Sequence, residues 1–388
     1  MEKLTVLYDG IGFNEVHGGV SRYFTKMLKC LPQDIDVKLA VDATCNEYLQ
    51  AKPFNVPKAR RSAYEFLPDF QFKGKNRLYR MLSTMLPIRY AGVERINERC
   101  ARRAVSKLDF DVLHLTGAHF VGDYWKDVVG KRPIVITIHD LIPEKFGLLR
   151  GIRKTREMVL NAATCIIAVS NSTKEDIVSK YKVEADKISV VHHGVNVPCD
   201  TFDEGFAIQG RYILYVGKRA GYKNFAFFIK AVSGYIAQES NLRVVCVGAR
   251  FDRCERKFLQ ELGVGDKVLA VDADDQMMPS IYRNALCLVC PSLSEGFGLP
   301  LLEAMASKCP VVATDLPVFR EVASDAAIYF TENDSKGLVE NIRTLNTNIK
   351  SRDTMIAKGL ARAGDFSWDR CAKETAQVYR RAIMELQK

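Results

Sequence analysis

A chain of 388 residues, 47% of them hydrophobic and 26% charged, is too long for one ordinary core and apolar enough for two. That composition excludes extended disorder, and no apolar run approaches the ~20 residues that a membrane-spanning helix needs. The net charge of +10 is concentrated: thirteen Lys and Arg face four acids between Lys58 and Lys107.

The chain starts straight into a strand, LTVLYD. Its first residues lack the basic start, apolar run and small-residue cleavage site of a signal peptide, so a cytoplasmic protein is expected. A Gly-Gly loop at Gly18 and Gly19 leads into the helix VSRYFTKMLKCL, and DVKLAV follows as a second strand. The basic stretch 58–107 comes next, with Tyr64, Phe66, Phe70, Phe72 and Tyr79 interleaved. It reads either as the solvated face of a helical hairpin or as a surface for anionic membrane or a phosphate-rich ligand. No nucleic-acid-binding motif accompanies it.

DVLHLT, PIVITIHD, CIIAVS and KISVVHHGV then alternate with helical patterns. RYILYVG, LRVVCVGA, KVLAVDA, LCLVCPS, CPVVAT and AAIYFT repeat the rhythm. Val/Ile-rich runs alternating with helices indicate α/β architecture with parallel sheets covered on both faces. The strands are too many for one comfortable sheet. The run VPCDTFDEGFAIQGR reads as a link, which places one domain at 1–199 and a second at 200–366. The last segment, 367–388, reads as a helix with an apolar stripe of Trp368, Cys371, Ala372, Thr375, Val378, Tyr379, Ile383 and Leu386.

Ligands of open α/β sheets bind beyond the strands' carboxyl ends, so polar and glycine residues there are the candidates. After LCLVCPS comes EGFGLPLLE. Gly296 and Gly298 let the backbone approach a ligand and expose amides to oxyanions. Pro300 is tolerated in the first turn of the next helix, whose N-terminus attracts phosphate. Glu303, one turn in, suits a diol such as a ribose, and Glu295 can accept hydrogen bonds from sugar hydroxyls. Lys218, Arg219 and Lys223 follow RYILYVG, where cations would meet a diphosphate. His139 and Asp140 end the strand PIVITIHD, and Arg22 lies one turn into the first helix.

Two metal-like patterns are discounted. Cys287 and Cys290 have C-x-x-C spacing without a second pair, so the eleven cysteines read as reduced and largely buried. Asp272, Asp274 and Asp275 form a D-x-D-like run, but they precede a helix, where acids favour the N-terminus. No metal and no bound cofactor are expected.

The stretch from Glu295 to Glu303 has the E-x7-E form of retaining glycosyltransferases of family 4, and the chain resembles that family along nearly its whole length. GGVSRYF, ITIHDLIPE, AVSNSTKEDI, HHGV, ILYVGKRAGYKN, IYRNALCLVCPS and the terminal FSW occur in the expected order. The resemblance implies the GT-B fold, two Rossmann-like doubly wound domains facing a central cleft, with the terminal helix packing back toward the N-terminal domain.

It also implies metal-independent transfer of a hexose, mannose among the candidates, from a GDP- or UDP-sugar to a saccharide acceptor, with the anomeric configuration retained. A lipid-linked acceptor in O-antigen, capsule or exopolysaccharide synthesis at the inner membrane face is favoured. A soluble acceptor and a non-catalytic sugar-nucleotide binder are the alternatives. By the resemblance, His139, Glu295, Arg219 and Lys223 serve catalysis. Gly18, Gly19, Lys218, Arg219, Lys223, Glu295, Gly296, Phe297, Gly298, Leu299 and Glu303 hold the donor. The loop here is compressed and carries Tyr222 where a second Arg is common.

Overall fold

The computed structural model describes residues 3–14, 18–58, 93–117, 122–147, 152–197, 208, 210–219 and 221–387. The chain divides into two compact units, one of Met1–Gly194 with Trp368–Lys388 and one of Val195–Ser367. The link expected around residue 200 falls mostly outside the described residues, as does 59–92 of the basic stretch.

The first unit is built on six parallel strands: β1 (Leu4–Tyr8), β2 (Ile35–Leu39), β3 (Val112–Leu115), β4 (Ile134–Ile138), β5 (Cys165–Ala168) and β6 (Ile188–Val190). Their order is β2-β1-β3-β4-β5-β6. Every residue of β3, β4 and β5 is buried, which is why their sequences run unbroken in Val, Ile and Leu rather than alternating. Chain order reverses between β1 and β3, so loops leaving these two neighbours part to opposite faces and leave a crevice at their carboxyl ends.

The helix Trp368–Leu386 completes this unit. Its buried face is Trp368, Cys371, Ala372, Thr375, Ala376, Val378, Tyr379 and Ala382, close to the stripe read from sequence. Leu386, the last residue of the helix, is exposed. Tyr379 anchors the helix to the sheet: its hydroxyl contacts that of Tyr8 and lies 2.6 Å from His114 Nδ1, while His114 Nε2 is 2.9 Å from Thr137 Oγ1.

The described end of the basic stretch is the helix Val93–Lys107. Two of its cations are engaged within the protein. Arg102 pairs with Glu98 at 2.8 Å and with Asp123, and Arg103 pairs with Asp42.

The second unit has strands β7 (Arg211–Val216), β8 (Leu242–Val247), β9 (Val268–Val271), β10 (Cys287–Cys290), β11 (Val311–Thr314) and β12 (Ile328–Phe330). They are parallel in the order β12-β11-β10-β7-β8-β9. From β7 the chain winds outward through β8 and β9, then returns to the other side of β7 for β10, β11 and β12. The reversal between β7 and β10 sets the crevice of this unit. Two helices cross the edges of its core, Phe225–Gln238 and Ser335–Thr347, with Phe228, Ile229, Val232, Leu338 and Ile342 facing inward. Cys287 and Cys290 are buried within β10, and burial pushes the Cys287 thiol up to about 12.

Candidate active site

The loops leaving β7 and β10 meet at the reversal point of the second sheet. After Val216 the backbone passes through Gly217 at φ +140°, a conformation that side chains disfavour. The loop continues to the turn Gly221–Lys223 and enters the helix Phe225–Gln238. The Leu293 amide donates to Tyr222 O at 2.8 Å, binding the two loops together. Lys223 Nζ reaches Glu295 Oε1 at 2.6 Å, and Ser292 Oγ donates to the same oxygen at 2.7 Å. Both charged side chains are largely buried, with 17% and 12% exposure. Burial alone would lower the Lys223 pKa, but the charge and hydrogen bond of Glu295 outweigh it, and the net shift is upward. Lys223 is therefore a fixed cation at neutral pH.

Beyond Glu295 the chain turns through Gly298 at φ +98° into the helix Leu299–Ala306. This glycine is required twice. Its φ is left-handed, and a Cβ there would lie 2.9 Å from the Phe319 ring. Pro300 occupies the first turn, and no side chain caps the helix start. One turn later Glu303 accepts a hydrogen bond from the Tyr282 hydroxyl at 3.1 Å. Tyr215, Lys223, Ser292, Glu295, Gly298 and Phe319 line a recess at this point. The recess holds the Lys223–Glu295 pair and the start of an uncapped helix, the kind of backbone that favours an anion; Glu303 stands one turn further along that helix, outside the recess lining.

Two expected residues are placed differently from their assigned roles. Arg219 does not join Lys223. Its Nε donates to Glu255 Oε1 at 2.8 Å, its Nη2 to Ala249 O at 2.7 Å, and its guanidinium lies 4.7 Å from the Phe251 ring centre. Glu255 also belongs to the capping box with Asp252 that starts the helix Arg253–Glu261, so Arg219 fastens the β7 loop to the β8 loop. The short loop carries its side chain sideways along the sheet edge. Lys218, by contrast, is exposed. Phe297 is buried, edge-on to Phe366 at 6.0 Å, so its ring packs into the fold and only its backbone is suited to a ligand. Asp274 Oδ1 accepts from the Gln276 and Met277 amides at 2.9 and 3.0 Å, in the turn that precedes the helix Met278–Asn284. Among the described residues no group of His, Cys, Asp and Glu is arranged for a metal ion.

The remaining expected residues lie in the first unit. Gly18 is extended and precedes the helix Gly19–Lys29, and a Cβ on Gly19 would meet no atom within 4 Å. From that helix Tyr23 and Phe24 pack edge-on against the His139 ring at 5.0 and 5.7 Å, so the Gly-Gly helix and the turn after β4 form one surface. The neighbouring His193 is buried and held well below the usual histidine range by desolvation, with a smaller push from His139.

Sequence reading missed Asp9. It follows β1 directly, is 1% exposed, and accepts from the Thr116 amide at 2.9 Å, the Thr116 hydroxyl and the Tyr124 hydroxyl at 3.0 Å. Burial raises its pKa to about 6 against those hydrogen bonds. Its place at a strand's carboxyl end was visible in LTVLYD. His114 was also missed: inside β3, desolvation presses its pKa down to about 3, and it sits in an apolar run that reads as core.

Two family models account for most of the chain. Residues 17–197 match Glycosyltransferase Family 4, and residues 200–362 match Glycosyl transferases group 1. The chain belongs to the glycosyltransferases of this family, with the GT-B fold. The O-antigen chain mannosyltransferase RfbU of Salmonella typhimurium is 31% identical over 235 residues, 58% of this chain. That match spans 65% of the relative, just under two thirds of its length. The O-antigen chain mannosyltransferase B of Escherichia coli is 27% identical, over 63% of this chain and 70% of its own. Among solved structures, Anabaena HepE in complex with UDP and glucose superposes with a TM-score of 0.71 at 15% identity, covering 97% of this chain and 99% of that one. Sucrose-phosphate synthase from Thermosynechococcus elongatus gives 0.70 at 18% identity, covering 98% and 99%. At such identities the likeness is one of fold.

Proposed function

We propose that this glycosyltransferase moves a mannose from GDP-mannose to a saccharide carried on a lipid, with retention of the anomeric configuration and without a metal, in the synthesis of a bacterial surface polysaccharide. The observation that carries the reading is the ion pair of Lys223 and Glu295 at 2.6 Å, set at the β7/β10 reversal beside the Gly296–Gly298 backbone. Departure of a nucleoside diphosphate gathers negative charge on its outer phosphate. A fixed cation and amides there stabilise that charge more than they stabilise the bound donor, which is what lowers a barrier. Lys223, together with the exposed Lys218, supplies the positive charge. Gly296 to Leu299 supply backbone, Glu303 the ribose contact, and Glu295 a partner for sugar hydroxyls. Arg219 acts by holding the loop.

With attack and departure on one face, the leaving phosphate itself takes the acceptor's proton. His139 and the Gly18–Gly19 loop then orient and shield the reacting sugar instead of acting as a base. Mannose is favoured because the two curated relatives named above, and the Xanthomonas campestris enzyme named GDP-mannose:cellobiosyl-diphosphopolyprenol alpha-mannosyltransferase, act with it by name. The last name also supports a lipid diphosphate acceptor and hence a peripheral position at the inner membrane face. No helix among the described residues is long and apolar enough to cross a membrane.

A thermal-shift panel of GDP, UDP, GDP-mannose and UDP-glucose tests the donor, because a ligand that binds only the native state raises its melting temperature. Stabilisation by the guanosine compounds, followed by mannose transfer in EDTA to a polyprenyl-diphosphate saccharide and an α-linked product by NMR, is the expected result. Stabilisation by uridine compounds alone would replace the donor, and an inverted product would remove the mechanism.

A further inference from the structure

Immediately behind His139 lies an ion pair that no motif announced. Arg156, 2% exposed, and Glu144, 3% exposed, meet at 2.8 Å. The Arg156 Nη1 that reaches Glu144 also donates to the backbone carbonyl of Asp140 at 2.9 Å. Glu144 Oε1 accepts in addition from the Tyr181 hydroxyl at 2.6 Å. From the other side, Asp140 Oδ1 accepts from the Ile142 amide at 3.0 Å. The turn His139-Asp140-Leu141-Ile142 is thus held at Asp140, by its own side chain within the turn and by Arg156 on its backbone carbonyl.

Burying two charges is costly, and a well-packed apolar pair of the same volume generally serves stability as well or better. The geometry here offers a different use. An apolar pair would fill the space but leave the Asp140 carbonyl without this donor, and the residue before it is His139. We propose that Arg156, oriented by Glu144, is a positioning residue that fixes the His139 turn for the transfer reaction. The inference rests on the functional reading of His139 given above.

The test replaces both partners at once, Arg156→Met with Glu144→Leu, so that no charge is left buried alone. The full-length protein is labelled with [13Cε1]histidine, and the His139 resonance among the six histidines is assigned with His139→Gln. In a folded double variant the His139 resonance is expected to move. Its kcat is expected to fall about 10-fold or more with donor KM changed less than about 3-fold, the pattern of misplaced chemistry rather than lost binding. An unchanged resonance and unchanged kcat in the folded double variant would reduce the pair to a folding element and overturn the proposal. If the double variant does not fold, Arg156→Lys keeps the cation and removes the fork, and the same two readings decide. Should the wild type transfer sugar from no donor, the functional reading fails, and the resonance alone decides this inference.

Discussion

At the β7/β10 edge a lysine and a glutamate form an ion pair, and the glycine-bearing loop beside them enters a helix that no side chain caps. At the β1/β3 edge of the first sheet the same topological position holds Asp9, buried among hydroxyls and amides and pushed toward its neutral form. The turn after β4 is backed by histidines that desolvation keeps uncharged. One sheet type, folded twice in one chain, therefore presents a lysine–glutamate ion pair at one crevice and a buried, hydrogen-bonded carboxyl at the other. A diphosphate needs fixed charge opposite it, whereas hydroxyl-rich sugar needs neutral donors and acceptors held still. On the reading proposed above, the donor's nucleotide belongs to the second unit and the acceptor to the first.

The largest expected effect comes from removing the charge. Lys223→Ala should lower kcat by at least ~100-fold, as for loss of one charge-stabilising donor, in a steady-state assay. A variant with normal turnover would erase the difference between the two edges. Next is the β1/β3 edge and its buried Asp9. The folded Asp9 pKa, about 6, lies above its ordinary 3.8, so the folded state holds that proton more tightly. The resulting stabilisation is present at low pH and is lost as pH rises from about 4 to 6. The stability of wild type minus that of Asp9→Asn should fall by about 3 kcal/mol across this window, measured by denaturant unfolding at several pH values. A flat difference would show that Asp9 ionises as freely as a surface acid.

Gly298→Ala should destabilise the protein by about 2 kcal/mol through its left-handed φ and the Phe319 contact. It should also diminish the melting-temperature rise given by nucleotide. Phe319→Leu in the same chain should recover part of the stability, but not the part due to φ. The smallest effect is expected at Glu303→Ala, roughly 10-fold weaker nucleotide affinity for one lost charged hydrogen bond, by calorimetry. An unchanged affinity there would move the ribose elsewhere.

Much of this was legible in the sequence because parallel strands buried on both faces must be apolar throughout. The Val/Ile runs mark them, and the residues just after each run are then candidates by topology alone. Glu295, Gly298 and Glu303 were readable for that reason. Lys223 was readable as a cation in a loop, although its partner lies 72 positions away. Arg219 shows where local reading stops. A long guanidinium goes to whichever carboxylate and carbonyls the fold brings near, and Glu255 stands 36 residues on. Arg156 drew no reading at all, since nothing in GIRKTREM sets apart the one arginine that is among the most buried side chains of the described residues. Asp9 and His114 carry no pattern because buried polar groups are specified by their surroundings rather than by their neighbours in sequence.

The most direct measurement is a crystal structure of the protein soaked with GDP or UDP. The account places the diphosphate against Lys223 and the amides from Gly296 to Leu299, with the ribose at Glu303. A nucleotide bound in the first unit, with the Glu295–Glu303 turn empty, would contradict it.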